Sequence, residues 1–116
     1  MRTITEDYQT DMLREMGFDE PRTFIGDEWH DKDDNLYAYD LNQLLSFLPT
    51  YFYDSYDDLY TLSMNADEHN MWTIQYTSSQ DVIEVYAYEL VDAIVKMLNE
   101  LDKNNLIKIT VQWKKK

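Results

Sequence analysis

The string Asp31-Lys32-Asp33-Asp34-Asn35 comes nearest to a recognisable chemistry in this sequence. Asp31, Asp33 and Asn35 match the first, third and fifth oxygen donors of an EF-hand calcium loop. The remainder departs from that loop. Leu36 stands where the sharp turn calls for Gly, and Asn42 where a bidentate Glu would close the coordination shell. With Asp27, Glu28 and His30 beside it, the string reads as a solvated acidic loop able to hold a cation only weakly. A protein cofactor or resident metal is therefore not expected.

Other catalytic arrangements fail on composition. His30 and His69 are the only histidines, and neither sits in an HExxH or His-x-His pattern. None of the five serines lies in a GxSxG elbow, and two glycines cannot build a phosphate-cradling loop. Carboxylate pairs are so abundant that no single pair points to glycoside hydrolysis. The absence of cysteine removes thiolate metal sites, disulfides and Cys nucleophiles, and fits a cytoplasmic setting. We expect a protein without enzymatic activity.

The segment 36–60 has a different character. Tyr37, Tyr39, Tyr51, Phe52, Tyr53, Tyr56 and Tyr60 interleave with Asp40, Asp54, Asp57 and Asp58. Tyrosine is a rigid amphipathic contact residue, and carboxylates beside it suit an Arg- or Lys-rich partner. The competing reading packs about half of these rings beneath a sheet. The candidate partner-binding set is Asp27, Glu28, Asp31, Asp33, Asp34, Tyr37, Tyr39, Tyr53, Asp54, Tyr56, Asp57 and Asp58.

Charge is split along the chain. Residues 1–107 hold 23 acidic and 6 basic side chains, whereas Lys108 and Lys114, Lys115 and Lys116 give the last nine positions a charge of +4, for a net of −13. Residues 1–58 alone carry 15 acidic against 4 basic. Such self-repulsion calls for a well-packed core or an oppositely charged partner. It disfavours anionic lipid and the phosphates of nucleic acid, and favours a basic protein, of which a nucleic-acid-binding protein would be one kind. No stretch approaches the roughly 20 apolar residues of a membrane span, and the polar start has no secretory h-region. The lysine tail reads as a guard on a terminal strand edge, with self-association open to it as well.

The elements that must position these residues follow from periodicity. At 116 residues we expect one domain, 1–116. A first helix is predicted from an N-cap at Thr5 to Gly17, with Tyr8, Met12, Leu13 and Met16 on its apolar stripe. Residues 19–35 read as a loop with a short extended piece at 22–25, and 36–39 as a short strand. Asp40 then caps a helix over 41–48, with Leu41, Leu44, Leu45 and Leu48 inward and Pro49 ending it.

The segments 59–64 and 71–77 alternate as the two arms of a hairpin around a loop at 65–70, with Trp72, Ile74 and Tyr76 on one face. Residues 82–88 fit a strand, with Ile83, Val85 and Ala87 on one side. They also fit the start of a longer helix with a capping box at Ser78 and Asp81. Their β-branched and aromatic content favours the strand. A last helix over 89–101 would bury Leu90, Ile94, Met97, Leu98 and Leu101 and break at Asn104-Asn105. Ile107, Ile109, Val111 and Trp113 alternate as a terminal strand. The expected fold is α+β: an antiparallel meander of three to four strands packed against two to three helices, with a C-terminal strand.

The opening "ITEDYQTDMLREMGFDEP" resembles small uncharacterised proteins encoded by phages and integrated elements of gut bacteria, many of which begin with a helix followed by a Lys/Met-Gly-Phe-Asp turn. The strings "LNQLLSFLP", "LYTLSM", "MWTIQY" and "VYAYELVDAIVKMLNEL" follow the same pattern up to about residue 102. The resemblance implies a helix–meander–helix unit and supports the strand at 82–88. It supplies no activity and no functional residues. The acidity and the terminal "LIKITVQWKKK" lie outside it. Together these readings suggest an acidic interaction protein of a phage or mobile element that binds a basic surface of a host or phage protein. DNA mimicry of the anti-restriction or anti-CRISPR type is one form of this. The alternative is an accessory oligomerising domain with no inhibitory role.

Overall fold

A computed structural model describes residues 2–18, the backbone of the strand pairs Phe24–Ile25 and Glu28–Trp29, and residues 38–106. In chain order the elements are α1 (Asp7–Glu15), β1 (Phe24–Ile25), β2 (Glu28–Trp29), α2 (Leu41–Phe47), β3 (Tyr51–Tyr53), β4 (Leu59–Ala66), β5 (Trp72–Thr77), β6 (Val82–Ala87) and α3 (Leu90–Lys103). Strands β3 to β6 form one antiparallel sheet in sequence order, and β1 pairs with β2. Three helices with a four-stranded meander make the α+β architecture expected from the alternation. Among the described residues, no helix is long and apolar enough to cross a membrane. The terminal strand, Trp113 and the lysine tail lie outside the described residues.

Strand parity decides which side chains build the core. Across the sheet, Leu62 pairs with Tyr76 and Tyr76 with Ile83, while Met64 pairs with Ile74 and Ile74 with Val85. These residues share the inner face, on which α3 packs across β5 and β6. The α3 stripe of Leu90, Ile94, Met97, Leu98 and Leu101 is fully or almost fully buried there, as its helical spacing requires. Residues 82–87 are strand, so the helical alternative for them fails. At one end of this core Phe18 stacks on Phe47 with ring centroids 4.5 Å apart, and Tyr39 meets Phe47 edge-on at 5.4 Å. Toward the β3 edge of the same inner face, Phe52 stacks on Tyr60 at 5.1 Å and meets Tyr76 edge-on at 5.0 Å.

Helix ends are set by local chemistry. In α1 the Gly17 N–H donates to Arg14 and the Phe18 N–H to Leu13, with Gly17 at φ +96°. Asn105 takes the same place after α3 at φ +61°, where the Leu106 N–H donates to Leu101. Both are left-handed C-terminal caps with an apolar residue folded back on the helix. Asp40 caps α2 as expected, its carboxylate accepting from the Gln43 N–H at 2.8 Å. Leu48 is extended, the conformation imposed by the following proline.

Four expectations are corrected. The N-cap of α1 is Glu6 rather than Thr5, because the Thr5 hydroxyl is buried against Thr10 and accepts the Tyr39 N–H. Tyr8 does not join the buried stripe: α1 turns Gln9, Thr10 and Leu13 inward, and Tyr8 is 65% exposed. On α2 the buried positions are Leu44, Phe47 and Leu48, while Leu45 is exposed, since Phe18 and Tyr39 draw Phe47 inward. Ala38 and Tyr39 are not part of a strand; only an isolated bridge joins Asp40 to Ile4. Strand β3 was not anticipated.

Candidate functional site

Two of the sheet's three hairpin loops share one construction. In the loop 54–58 the Asp54 carboxylate accepts the N–H groups of Tyr56 at 2.8 Å and Asp58 at 3.0 Å. The Asp54 N–H donates to the Asp58 carbonyl, the Asp57 N–H donates to the Asp54 carbonyl, and Asp57 sits at φ +63°. In the loop 67–71 Asp67 does the same for His69 and Met71, and Asn70 takes the left-handed position at φ +63°. Each is a turn closed by a left-handed residue, with an Asp side chain standing in for backbone acceptors. The N–H groups of Met71 and His69 hold the Asp67 carboxyl below the usual carboxylate range. His69 therefore has a turn position, as its sequence context suggested.

Left-handed Asn is tolerated but strained relative to Gly. Asn70→Gly is expected to raise stability by about 0.5–1 kcal/mol, and Asn70→Ala to lower it by a similar amount. Paired urea melts would measure both; equal midpoints for the two variants would contradict the strain.

Within the candidate set, the structure separates turn-makers from surface groups. Asp54 is spent on its own loop. Tyr56 projects from the tip and is 86% exposed, with the exposed Asp57 and half-buried Asp58 beside it. Among the described residues, no cation lies within ion-pair distance of Asp57 or Asp58. Tyr53 and Tyr51 point outward together, in an edge-to-face pair with centroids 6.2 Å apart. Tyr39 is corrected: it is completely buried and cannot touch a partner. Of the interleaved rings, Phe52 and Tyr60 also belong to the core. Asp27, Asp31, Asp33, Asp34 and Tyr37 lie outside the described residues, as does the side chain of Glu28. Among the described residues, no group of three or more His, Asp or Glu is placed to hold a metal.

A second surface was not foreseen. A cleft of about 560 Å³ opens between α1, the end of β6 and α3, lined by Tyr8, Met12, Tyr86, Tyr88, Asp92 and Lys96 among others. Its charged groups are committed to the fold. Arg2 pairs with Asp92, the Gln9 side-chain amide donates to the same carboxylate oxygen at 2.9 Å, and the Arg2 N–H donates to Glu89 at 2.8 Å. Partial burial by itself would raise the Asp92 carboxyl. The bonds from Gln9 and Arg2, with the charges of Arg2 and Lys96, outweigh it and hold the carboxyl below its usual range. This network fastens the N-terminal segment and α1 to α3. Lys96 in turn donates to the Tyr86 carbonyl at 2.9 Å, covering a backbone acceptor of the edge strand. The charges here are mutually balanced, in contrast to the hairpin tip.

A third surface is the outer face of the sheet. Its residues form rows by register: Tyr53 with Leu59; Tyr51 with Thr61, Thr77 and Val82; Ser63 with Gln75 and Glu84; Asn65 with Thr73 and Tyr86. Tyr51, Tyr53, Leu59, Val82 and Tyr86 are each between 42% and 52% exposed. Helix α3, which packs on β5 and β6, lies on the opposite face. Comparison of the chain with family models, curated proteins and solved structures finds no match.

Proposed function

We propose that this chain is a non-enzymatic interaction protein that binds a basic protein surface through the tip of the β3–β4 hairpin. The observation that supports this reading is the juxtaposition of a nearly fully exposed ring, Tyr56, with two carboxylates that no described cation compensates. A tyrosine held on a rigid turn loses little entropy on binding, and its carboxylate neighbours favour Arg or Lys across the interface. In the form we favour, the chain belongs to a phage or integrated element and acts in the cytoplasm of a bacterial host. A nuclease or other DNA-binding protein would then supply the basic surface, with carboxylates taking the place of phosphates.

The test is capture from a bacterial host lysate at about 50 mM and about 500 mM salt, followed by titration of the purified partner. Tyr56→Ala is expected to weaken binding about tenfold, and Asp57→Asn with Asp58→Asn to flatten its salt dependence. DNA should compete for the partner if the carboxylates mimic phosphates. Binding that is equally strong at both salt concentrations would refute the electrostatic reading.

A further inference from the structure

We propose that the outer face of the β3–β6 sheet is a contact surface between two copies of this chain, which stack sheet against sheet. The argument begins with charge. Twelve side chains project from this face, and Glu84 alone among them is charged. At the chain's 28% charged content, twelve positions would carry about three charges, and more on a surface, where charged residues concentrate. Glu84 lies on the edge strand β6 and already accepts from the Gln75 amide at 2.7 Å, so its charge sits at the rim.

A face this poor in charge offers nothing to a basic partner, which the hairpin tip would serve instead. It suits an equally uncharged surface, and the one such surface in evidence is its own copy. Two chains of net charge −13 repel each other strongly, and they approach at least cost where neither presents carboxylates. The row Tyr51, Thr61, Thr77 and Val82 runs across all four strands of this face, at the end of β5 and the start of β6. Half-exposed tyrosines and β-branched side chains on a pleated surface are what a second sheet packs against, at about 10 Å and with strands inclined by about 30°. A two-fold axis lying between the two sheets and parallel to them makes such a contact self-complementary. Four strands at about 4.8 Å and six residues at about 3.3 Å give a footprint of roughly 19 by 20 Å. That is the low end of specific interfaces, so a reversible dimer with a dissociation constant in the micromolar range is expected.

Sedimentation of the full chain tests this. The expected result is a dimer at about 200 µM and a monomer at about 2 µM. The dimer should strengthen as salt screens the like charges, the opposite of the salt response expected for a basic partner. Thr77→Glu and Thr77→Lys, which place either sign of charge on the row that spans all four strands, should both abolish it. Leu45→Glu, on exposed α2 surface, should leave it intact. Where a Thr77 variant loses its native circular dichroism, concentration-dependent amide shifts of the wild type decide: they should map to β4 and β5 outward positions. A monomer at every concentration, a dimer that survives both Thr77 substitutions in folded protein, or shifts confined to the α1–α3 cleft would each overturn the proposal.

Discussion

Phe47→Ala is expected to destabilise the protein by about 3–5 kcal/mol, close to the whole stability of a small domain. Phe47 is completely buried, stacked on Phe18 and edge-on to Tyr39. Phe18 follows the left-handed cap of α1, Tyr39 precedes α2, and Phe47 ends it. One ring therefore joins three segments outside the four-stranded sheet, adding to the isolated bridge between Ile4 and Asp40. Truncation would leave a cavity lined by two aromatic faces on different elements, which cannot collapse without moving α1. Leu45→Ala on the same helix removes an exposed side chain and should fall within about 0.5 kcal/mol of wild type. Urea titration of the two variants provides the comparison. A loss below about 1.5 kcal/mol for Phe47→Ala would mean that α1 and α2 dock independently of this cluster.

The same cluster explains where the sequence was readable and where it was not. Alternation in β4, β5 and β6 is regular, and a period of two leaves one choice of inner face; Tyr60, Ile74, Tyr76 and Val85 were legible for that reason. The stripe of α3 was legible because five apolar positions repeat over more than three turns. Helix α2 has only two turns, so two overlapping stripes fit it equally well. The choice of Phe47 over Leu45 is made by Phe18 and Tyr39, which are distant in sequence. Strand β3 is three residues long and rich in tyrosine, too short to show a period. Its parity nonetheless determines that Phe52 enters the core while Tyr51 and Tyr53 face out.

The candidate site inherits these limits. Composition identified the Tyr/Asp segment, and the hairpin tip retains Tyr56 and Asp57 on the surface. It could not distinguish Asp54, which closes the turn, from Asp57 and Asp58, which face outward. That distinction depends on hydrogen bonds to backbone N–H groups. The Tyr8, Tyr86 and Tyr88 cleft joins residues about 80 positions apart on α1 and at the end of β6, and no local pattern announces it. The low charge of the outer sheet face was latent in the alternating positions of β4 and β5. It becomes visible only once register sets β3 and β6 beside them.

Tyr76→Phe is expected to cost about 1–3 kcal/mol at neutral pH, although it removes a single oxygen. The Tyr76 hydroxyl donates to the Pro49 carbonyl at 2.8 Å in a fully buried setting, tying the central strand β5 to the end of α2. Without it a buried carbonyl has lost its donor, and the volume change is too small for the neighbours to close over it. Burial also pushes the Tyr76 phenol far above its ordinary value. A raised folded-state value means that the unfolded chain ionises first. The stability this group contributes is therefore complete below the unfolded value of about 10 and declines as pH rises above it. The nine other tyrosines are common to both proteins, so the difference between wild type and variant isolates Tyr76. Urea melts from pH 7 to about 11 should show the wild-type advantage shrinking above about pH 10. A difference that stays constant across that range would mean that Tyr76 ionises in the folded state as readily as in the unfolded one.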